Sequence, residues 1–344
     1  MLTELQKDIL NLLQARFPIR ERPYGELARR LEASEEEVMA ALQELKQEGI
    51  IRRIGAIFEA KQLGYVSTLI GAQVPAAKIE AFVSAVNRLP GVSHNYGRRH
   101  RLNVWFTLTV GNEGVIRQTV DTLKAKYGID EIHNLPAVRV FKIEVEFALG
   151  VPRAPAEVAP AAGQTSKDKK QEVKPAHTNP KQTEGETQKL NAYQKMLVRE
   201  LQEDLGVTAE PFAQVASIVG LGQEEILHQI RQWKQDGTIR RFGASVRHPR
   251  LGFTANGMAV FSIPPDRIEE AGRGLASYPS VSHCYQRPRA PGWPYNLFAM
   301  THCRNEEELR EIVQVMADQI RPRAHDVLLT TAEYKKTNVK YFRE

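Results

Sequence analysis

The sequence predicts an α+β protein assembled as a tandem repeat, each copy a winged helix-turn-helix followed by a ferredoxin-like βαββαβ sandwich. Three observations carry that expectation: a segment that recurs along the chain, a switch within each copy from helical to alternating hydrophobic periodicity, and a central stretch that cannot build a core. Ile51–Tyr65 reads IRRIGAIFEAKQLGY and Ile239–Phe253 reads IRRFGASVRHPRLGF, agreeing at seven of fifteen positions with an offset of 239 − 51 = 188. Val92–Tyr96 (VSHNY) returns as Val281–Tyr285 (VSHCY) at an offset of 189, and Asn103, Trp105 and Phe106 are answered by Asn296, Phe298 and Ala299 at 193. The copies therefore diverge in length in one loop, and a repeat of this size dictates the whole fold.

Within the first copy, Leu5, Ile9, Leu12 and Leu13 recur at helical spacing, Leu27 and Leu31 mark a short second helix, and a third begins at Ser34. Ser34 is a good N-cap, Glu35, Glu36 and Glu37 put acid in the first turn, and Gly49 is a natural stop. Ile50–Phe58 then alternates towards a β-ribbon. The second copy repeats the plan with Tyr193–Leu205, Pro211–Val219 and Gln223–Gly237, followed by Thr238–Val246. Beyond each ribbon the order becomes β-α-β-β-α-β, in the first copy with strands near 65–75, 91–98, 102–110 and 138–147 and helices near 77–89 and 113–127. This order places helices on one face of an antiparallel sheet. Along Leu102–Val110, Val104, Phe106, Leu108 and Val110 point one way, while Asn103, Trp105, Thr107 and Thr109 point the other, so one face is core and the other is left for a partner or ligand. The parity of 91–98 stays open, because Val92 shares it with His94 and Tyr96.

Residues 151–188 contain Pro152, Pro155, Pro160, Pro175 and Pro180, many polar residues, and no Leu, Ile or aromatic residue. Such a composition predicts a disordered tether with a root-mean-square span of roughly 30–35 Å, long enough for the two copies to pair face to face as a covalent dimer. The expected units are winged helix-turn-helix domains over 1–64 and 189–252, ferredoxin-like domains over 65–150 and 253–344, and the linker between them. At 344 residues, 42% hydrophobic and 26% charged, the chain is built for several globular domains and not for wholesale disorder. The start MLTELQKDIL reads as an amphipathic helix, no apolar run is long enough to span a membrane, and Cys284 and Cys303 are too few for a disulfide framework. A cytoplasmic protein without membrane contact is expected. The net charge of +6 suits a polyanionic partner, either nucleic acid or a polycarboxylate.

Two hairpin motifs narrow that choice. The first runs His94-Asn95-Tyr96-Gly97-Arg98-Arg99-His100-Arg101-Leu102-Asn103-Val104-Trp105-Phe106, and the second His283-Cys284-Tyr285-Gln286-Arg287-Pro288 followed by Trp293-Pro294-Tyr295-Asn296-Leu297-Phe298. A winged helix ahead of this α/β unit resembles the Lrp/AsnC regulators, and the two motifs resemble the paired subunits of siroheme decarboxylase, here in order on one chain. The resemblance implies a fused two-subunit enzyme that removes two ring acetates of siroheme as carbon dioxide, leaving methyl groups, on the route to haem b or haem d1. It implies no separate cofactor, since the iron macrocycle is the substrate and its own electron sink. Haem, as a product-like ring, fits the same pocket.

On that resemblance, Arg98, Arg99, Arg101 and Arg287 would bind carboxylates through bidentate, charge-assisted hydrogen bonds, and Tyr96, Trp105, Tyr285, Trp293, Tyr295 and Phe298 would pack on the ring. Asn103, Asn296 and His302 would line the site. Losing carbon dioxide leaves an electron pair on the side-chain carbon that must be protonated, a task suited to His94, His100 or His283, and either His94 or His283 would ligate the iron axially. Period-2 projection puts His94, Tyr96 and Arg98 on one side of an extended strand, and His283, Tyr285 and Arg287 likewise. The second motif inserts Arg289-Ala290-Pro291-Gly292 and has no counterpart of His100, so the two pockets cannot be identical. Taken singly, His94 and His283 also fit buried interface histidines, Arg98–Arg101 a solvated charge run, and Trp105 and Phe298 plain core.

The competing expectations are an Lrp/AsnC-type DNA-binding regulator and a haem-binding sensor without turnover. Glutamates at the start of the presumed recognition helices, Glu35 to Glu37 and Glu224 and Glu225, oppose docking on phosphates. Arg52, Arg53, Arg240 and Arg241 in the wings can still reach a backbone, so DNA is the less expected partner.

Overall fold

A computed structural model describes residues 2–15, 17–143, 190–246 and 255–343. The expected tether over 151–188 lies outside the described residues. In the first copy α1 (Glu4–Ala15), α2 (Pro23–Arg30) and α3 (Glu35–Gln47) precede β1 (Ile51–Phe58). Ser34 caps α3 in a reciprocal capping box with Glu37, which explains the acidic first turn, and Gly49 ends the segment at φ +67°. The second copy follows with α6 (Ala192–Leu201), α7 (Pro211–Val219), α8 (Gln223–Gln235) and β7 (Ile239–Val246). Pro23 and Pro211 occupy the first turns of α2 and α7, where a missing N–H costs nothing.

The expected ribbon within each copy is corrected by the structure. Each copy supplies one strand, and β1 pairs antiparallel with β7 of the other copy, Gly55 opposite Gly243. A side chain at Gly55 would meet the Glu203 carbonyl oxygen at 2.6 Å, so the close approach of β1 to the end of α6 requires glycine there. The two helical layers then share one core, in which Phe17 packs on Tyr24, Phe212 and Phe242, and Phe58 on Trp233.

The sandwich strands of the first copy are β2 (Val66–Ala72), β3 (Val92–Arg98), β4 (Val104–Val110), β5 (Ile132–Pro136) and β6 (Arg139–Ile143), with helices α4 (Ile79–Arg88) and α5 (Glu113–Tyr127). In the second copy they are β8 (Ala255–Ser262), β9 (Val281–Gln286), β10 (Leu297–Cys303) and β11 (Ala324–Lys336), with α9 (Ile268–Ala276) and α10 (Glu306–Ile320). All nine strands join in one sheet of order β5-β2-β4-β3-β11-β8-β10-β9-β6. The strand expected near 138–147 is present over Arg139–Ile143, residues 144–147 lying outside the described ones, but its place in the sheet is not beside β2. β5 takes that place beside β2, the chain breaks at Pro136, and β6 crosses to pair with β9. β11 does the reciprocal job without a break, pairing over Ala324–Leu329 with β8 and over Thr330–Lys336 with β3.

The alternation along β4 works as its sequence predicts. Val104, Phe106 and Leu108 pack under α4 and α5 with Phe82, Val86 and Ile116, while Trp105 faces the other way. There the inner faces of both copies meet in a layer of Leu102, Trp105, Leu135, Met258, Val260, Trp293, Phe298 and Leu328. Each such side chain contributes about 1.5–3 kcal/mol when fully buried, so the copies are held together by packing as well as by exchanged strands. Protease cleavage between residues 151 and 188 is accordingly expected to leave both halves in one particle on size exclusion without denaturant. Two separate half-sized species would contradict the shared sheet. Among the described residues no helix is long and apolar enough to cross a membrane.

Candidate functional site at the inner sheet faces

A β-bulge in each copy settles the parity that the sequence leaves open. Across β3 and β4 the register shifts between Val92 and Asn95, and across β9 and β10 it shifts between Val281 and His283. Val92 and Val281 stay in the helix-covered cores. His94 and His283 are redirected to the inner face, the usual effect of an extra residue in one strand. Asn95 then points back under α4, where its amide donates to Asn87 Oδ1 at 3.0 Å.

The first cluster is built on β3. His94 Nδ1 lies 2.9 Å from Ser93 Oγ, which lies 2.9 Å from Thr107 Oγ1. The Tyr96 ring is 6.2 Å from the His94 ring, and the Arg98 guanidinium sits 5.2 Å from the Tyr96 ring centre. Arg98 is 5% exposed; its Nη1 donates to the Leu328 carbonyl at 3.1 Å and to Thr330 Oγ1 at 2.6 Å, and its Nε has no acceptor. The second cluster repeats this on β9. His283 Nδ1 is 2.8 Å from Ser282 Oγ, Tyr285 stacks 6.1 Å from His283, and the Arg287 guanidinium is 4.8 Å from the Tyr285 ring centre. Arg287, 9% exposed, donates to the Leu135 carbonyl at 2.6 Å, and its Nε also lacks an acceptor. Ser282 Oγ is also 2.8 Å from His302 Nε2, so a hydroxyl joins His283 to His302.

Among the described residues neither buried arginine has a carboxylate partner. Burial lowers both guanidinium pKa values to about 10, which leaves them charged at neutral pH. A buried charge without a counter-ion is costly.

Residues 6–52 and 194–240 match the siroheme decarboxylase NirDL-like HTH domain, and residues 62–142 and 250–335 match the AsnC-like ligand binding domain. A siroheme decarboxylase of Hydrogenobacter thermophilus is 34% identical over 337 residues, which is 98% of this chain and 94% of that one. The chain belongs to the siroheme decarboxylase family. The siroheme decarboxylase alpha subunit of Desulfovibrio desulfuricans is 43% identical over 145 residues, covering 83% of itself but 42% of this chain, so half of this chain corresponds to a separate subunit there. The crystal structure of the siroheme decarboxylase NirDL in co-complex with an iron-uroporphyrin III analogue matches with a TM-score of 0.72 at 28% identity, over 99% of this chain and 95% of that one.

In this member of the siroheme decarboxylase family, His94, Tyr96 and Arg98 come together, as do His283, Tyr285, Arg287 and His302, while other expected site residues have different duties. Asn103 and Asn296 occupy equivalent places in the two copies. Each amide spends both its groups on one backbone residue, Asn103 on Val74 and Asn296 on Ile263, all at 2.8–2.9 Å, pinning the loops after β2 and β8. Arg99 is largely exposed and pairs with Glu306 at 3.1 Å, and Arg101 pairs with Glu131 and donates to the Gly292 carbonyl at 2.9 Å. Trp105 donates to the Leu102 carbonyl and packs 5.2 Å from Trp293, which also touches Tyr295 and Phe298, so these rings close the inner layer on one another. His100 lies beyond the end of β3 with its ring 5.4 Å from Trp293 and its Nε2 3.8 Å from Asp326. The inserted turn of the second motif is what carries Trp293 onto His100. Arg52, Lys336, Ser93, Ser282, Thr107 and Thr330 were missed; the recurring Val-Ser-His triplet is the sequence signal for the two serines.

Electrostatics bear on the proton chemistry of two of these histidines. Burial, then the Lys336 and Arg52 charges, pushes His94 down to about 4, and burial, then Lys336 and Arg98, does the same to His302. Neither imidazole carries a spare proton at neutral pH in the protein alone; an arriving carboxylate raises such a pKa. The unfolded chain takes up protons at these positions near pH 6.5, while the folded chain does so only near 4, so their contribution to stability is complete above about 6.5 and is lost as pH falls through that window. The wild type is expected to lose more unfolding free energy in urea between about pH 7.5 and pH 5 than His94→Asn does. Equal losses would contradict the buried neutral imidazole.

Proposed function

We propose that the chain decarboxylates siroheme as a carbon–carbon lyase, removing two ring acetate carboxylates as carbon dioxide and leaving methyl groups, to give didecarboxysiroheme for haem b or haem d1 synthesis in the cytoplasm. The observation that carries this reading is the pair of buried guanidiniums without a carboxylate partner among the described residues, Arg98 and Arg287, each over a tyrosine and four residues along the chain from an inward histidine. Those guanidiniums fit the carboxylates of the macrocycle, and the name and ligand of the relatives described above point to the same substrate class. Each lost carboxylate leaves its bonding electron pair on the ring-attached carbon, delocalised into the macrocycle, and one proton per acetate completes the methyl group. His94, His100 and His283 are the candidate proton carriers. A neutral, buried His94 also suits axial ligation of the iron, with His283 as the alternative. The bond between Ser282 and both His283 and His302 offers a path along which a proton can be replaced between the two turnovers.

The reading is tested by counting carbon dioxide released per siroheme by the purified chain under anaerobic conditions. Two are expected. Stoichiometric binding with no carbon dioxide would overturn the assignment in favour of a macrocycle sensor.

A further inference from the structure

The two inner clusters are equivalent by sequence and by backbone but not in charge. Lys336 is the register partner of His94 across β11 and β3, whereas the register partner of His283 across β6 and β9 is Ile143. On the side of the helical layer the equivalent residues are Arg52 on β1 and Arg240 on β7, 240 − 52 = 188 apart, the offset of the repeat. Arg52 reaches over the first cluster and donates from Nη2 to the Lys336 carbonyl at 2.6 Å, and among the described residues it has no acidic partner. Arg240 lies 3.6 Å from the Glu59 carboxylate. The first cluster thus gathers Arg98, Arg52 and Lys336 against Glu333, which is half-exposed and 3.9 Å from Lys336. The second gathers Arg287 and Arg240 against Glu59.

We propose, on the reading that the substrate is siroheme, that the polycarboxylate macrocycle is held at the His94 cluster, and that Arg52 of the first winged-helix strand and Lys336 of the last strand are carboxylate-binding residues with no cationic counterpart among the described residues of the His283 cluster other than Arg240. Both charges already act on the His94 ring, which places them within electrostatic reach of anything bound beside it. Arg52 is half-buried and, among the described residues, anchored through one hydrogen bond, so its five-donor guanidinium keeps donors for a ligand. The winged-helix layer then has work at the tetrapyrrole site itself, as a cationic roof over β3, independent of any contact with DNA. The His302 imidazole, on β10 of the second copy, bonds to Ser282 beside His283 and lies within electrostatic reach of Arg98 and Lys336, so the two clusters adjoin.

The test is an anaerobic absorbance titration of the full chain with siroheme, together with steady-state kinetics, for the wild type, Arg52→Gln, Lys336→Gln and Arg240→Gln. Arg52→Gln and Lys336→Gln are each expected to raise Kd and KM at least tenfold, about 1.4 kcal/mol, with kcat changed much less. Arg240→Gln, in the less cationic cluster, is expected to raise them severalfold less than Arg52→Gln does. Should Arg52→Gln misfold, Lys336→Gln, on a strand end whose backbone is already paired, carries the same comparison. Equal weakening by Arg240→Gln and Arg52→Gln, or no weakening by Arg52→Gln and Lys336→Gln, would overturn the inference while leaving the decarboxylase reading in place. A wild type that neither binds nor alters siroheme would remove both.

Discussion

Arg98→Met is expected to leave the fold as stable as the wild type or more so, while lowering turnover of siroheme by roughly 30- to 5,000-fold. Arg98 is buried, charged and without a carboxylate among the described residues, so the protein alone bears the desolvation of a cation, several kcal/mol after relaxation. Methionine keeps the packing of the stem and removes that cost. The hydrogen bonds lost to the Leu328 carbonyl and Thr330 Oγ1 are worth about 1 kcal/mol each, and the long contact to Met300 Sδ at 3.9 Å less. Binding moves the other way: deleting one member of a buried, hydrogen-bonded charge pair costs about 2–5 kcal/mol, or roughly 30- to 5,000-fold. Arg98→Lys keeps the charge but not the planar fork, and should fall between. Arg287→Met should show the same gain in stability with a smaller loss of turnover, since it sits in the less cationic cluster. Thermal unfolding beside kcat/KM decides the point: a variant that unfolds, or one that turns over normally, contradicts a guanidinium kept for substrate.

His94→Ala and His283→Ala are each expected to lower kcat by about 10²–10⁴-fold, the range for a lost general acid, with folding retained. The two are separable. The histidine that ligates iron will, when replaced, also change the visible spectrum of bound ferric siroheme, whereas the other will lower kcat with that spectrum unchanged. His100→Ala should lower turnover as well, since its ring bridges the Trp293 turn and Asp326 at the edge of the inner layer. Full activity in both His100→Ala and His283→Ala would remove the assignment of the proton chemistry to these residues.

The parts of the fold that were legible in the sequence are those decided locally. Ser34 and Glu37 form the capping box that their spacing implies, and β4 divides its side chains between core and inner face as its alternation requires. What was not legible depends on which strand pairs with which. An alternating segment such as Arg139–Ile143 fits its own sheet or a partner's equally well, and only the packed structure shows that Pro136 ends one pairing and β6 begins another. The same holds for β1 and β7, whose ribbon-like pattern is satisfied by each other.

At the site, the period-2 rule found His94, Tyr96 and Arg98 together, but it needed the bulge at Ser93 to put Val92 on the opposite face. Side chains in one motif were assumed to share one duty. Arg98 and Arg99 show why they need not: adjacent in a strand end, one is buried over Tyr96 and the other pairs with Glu306 in solvent. Lys336 and Arg52 could not be found from the motifs, because they reach His94 from the far end of the chain and from the helical layer.

That one chain performs both decarboxylations is tested by the mass of the macrocycle it releases. Siroheme incubated anaerobically with the purified chain, with no second protein added, should emerge lighter by two carbon dioxide units. Recovery of siroheme at its original mass, from a protein shown to bind it, would contradict the account.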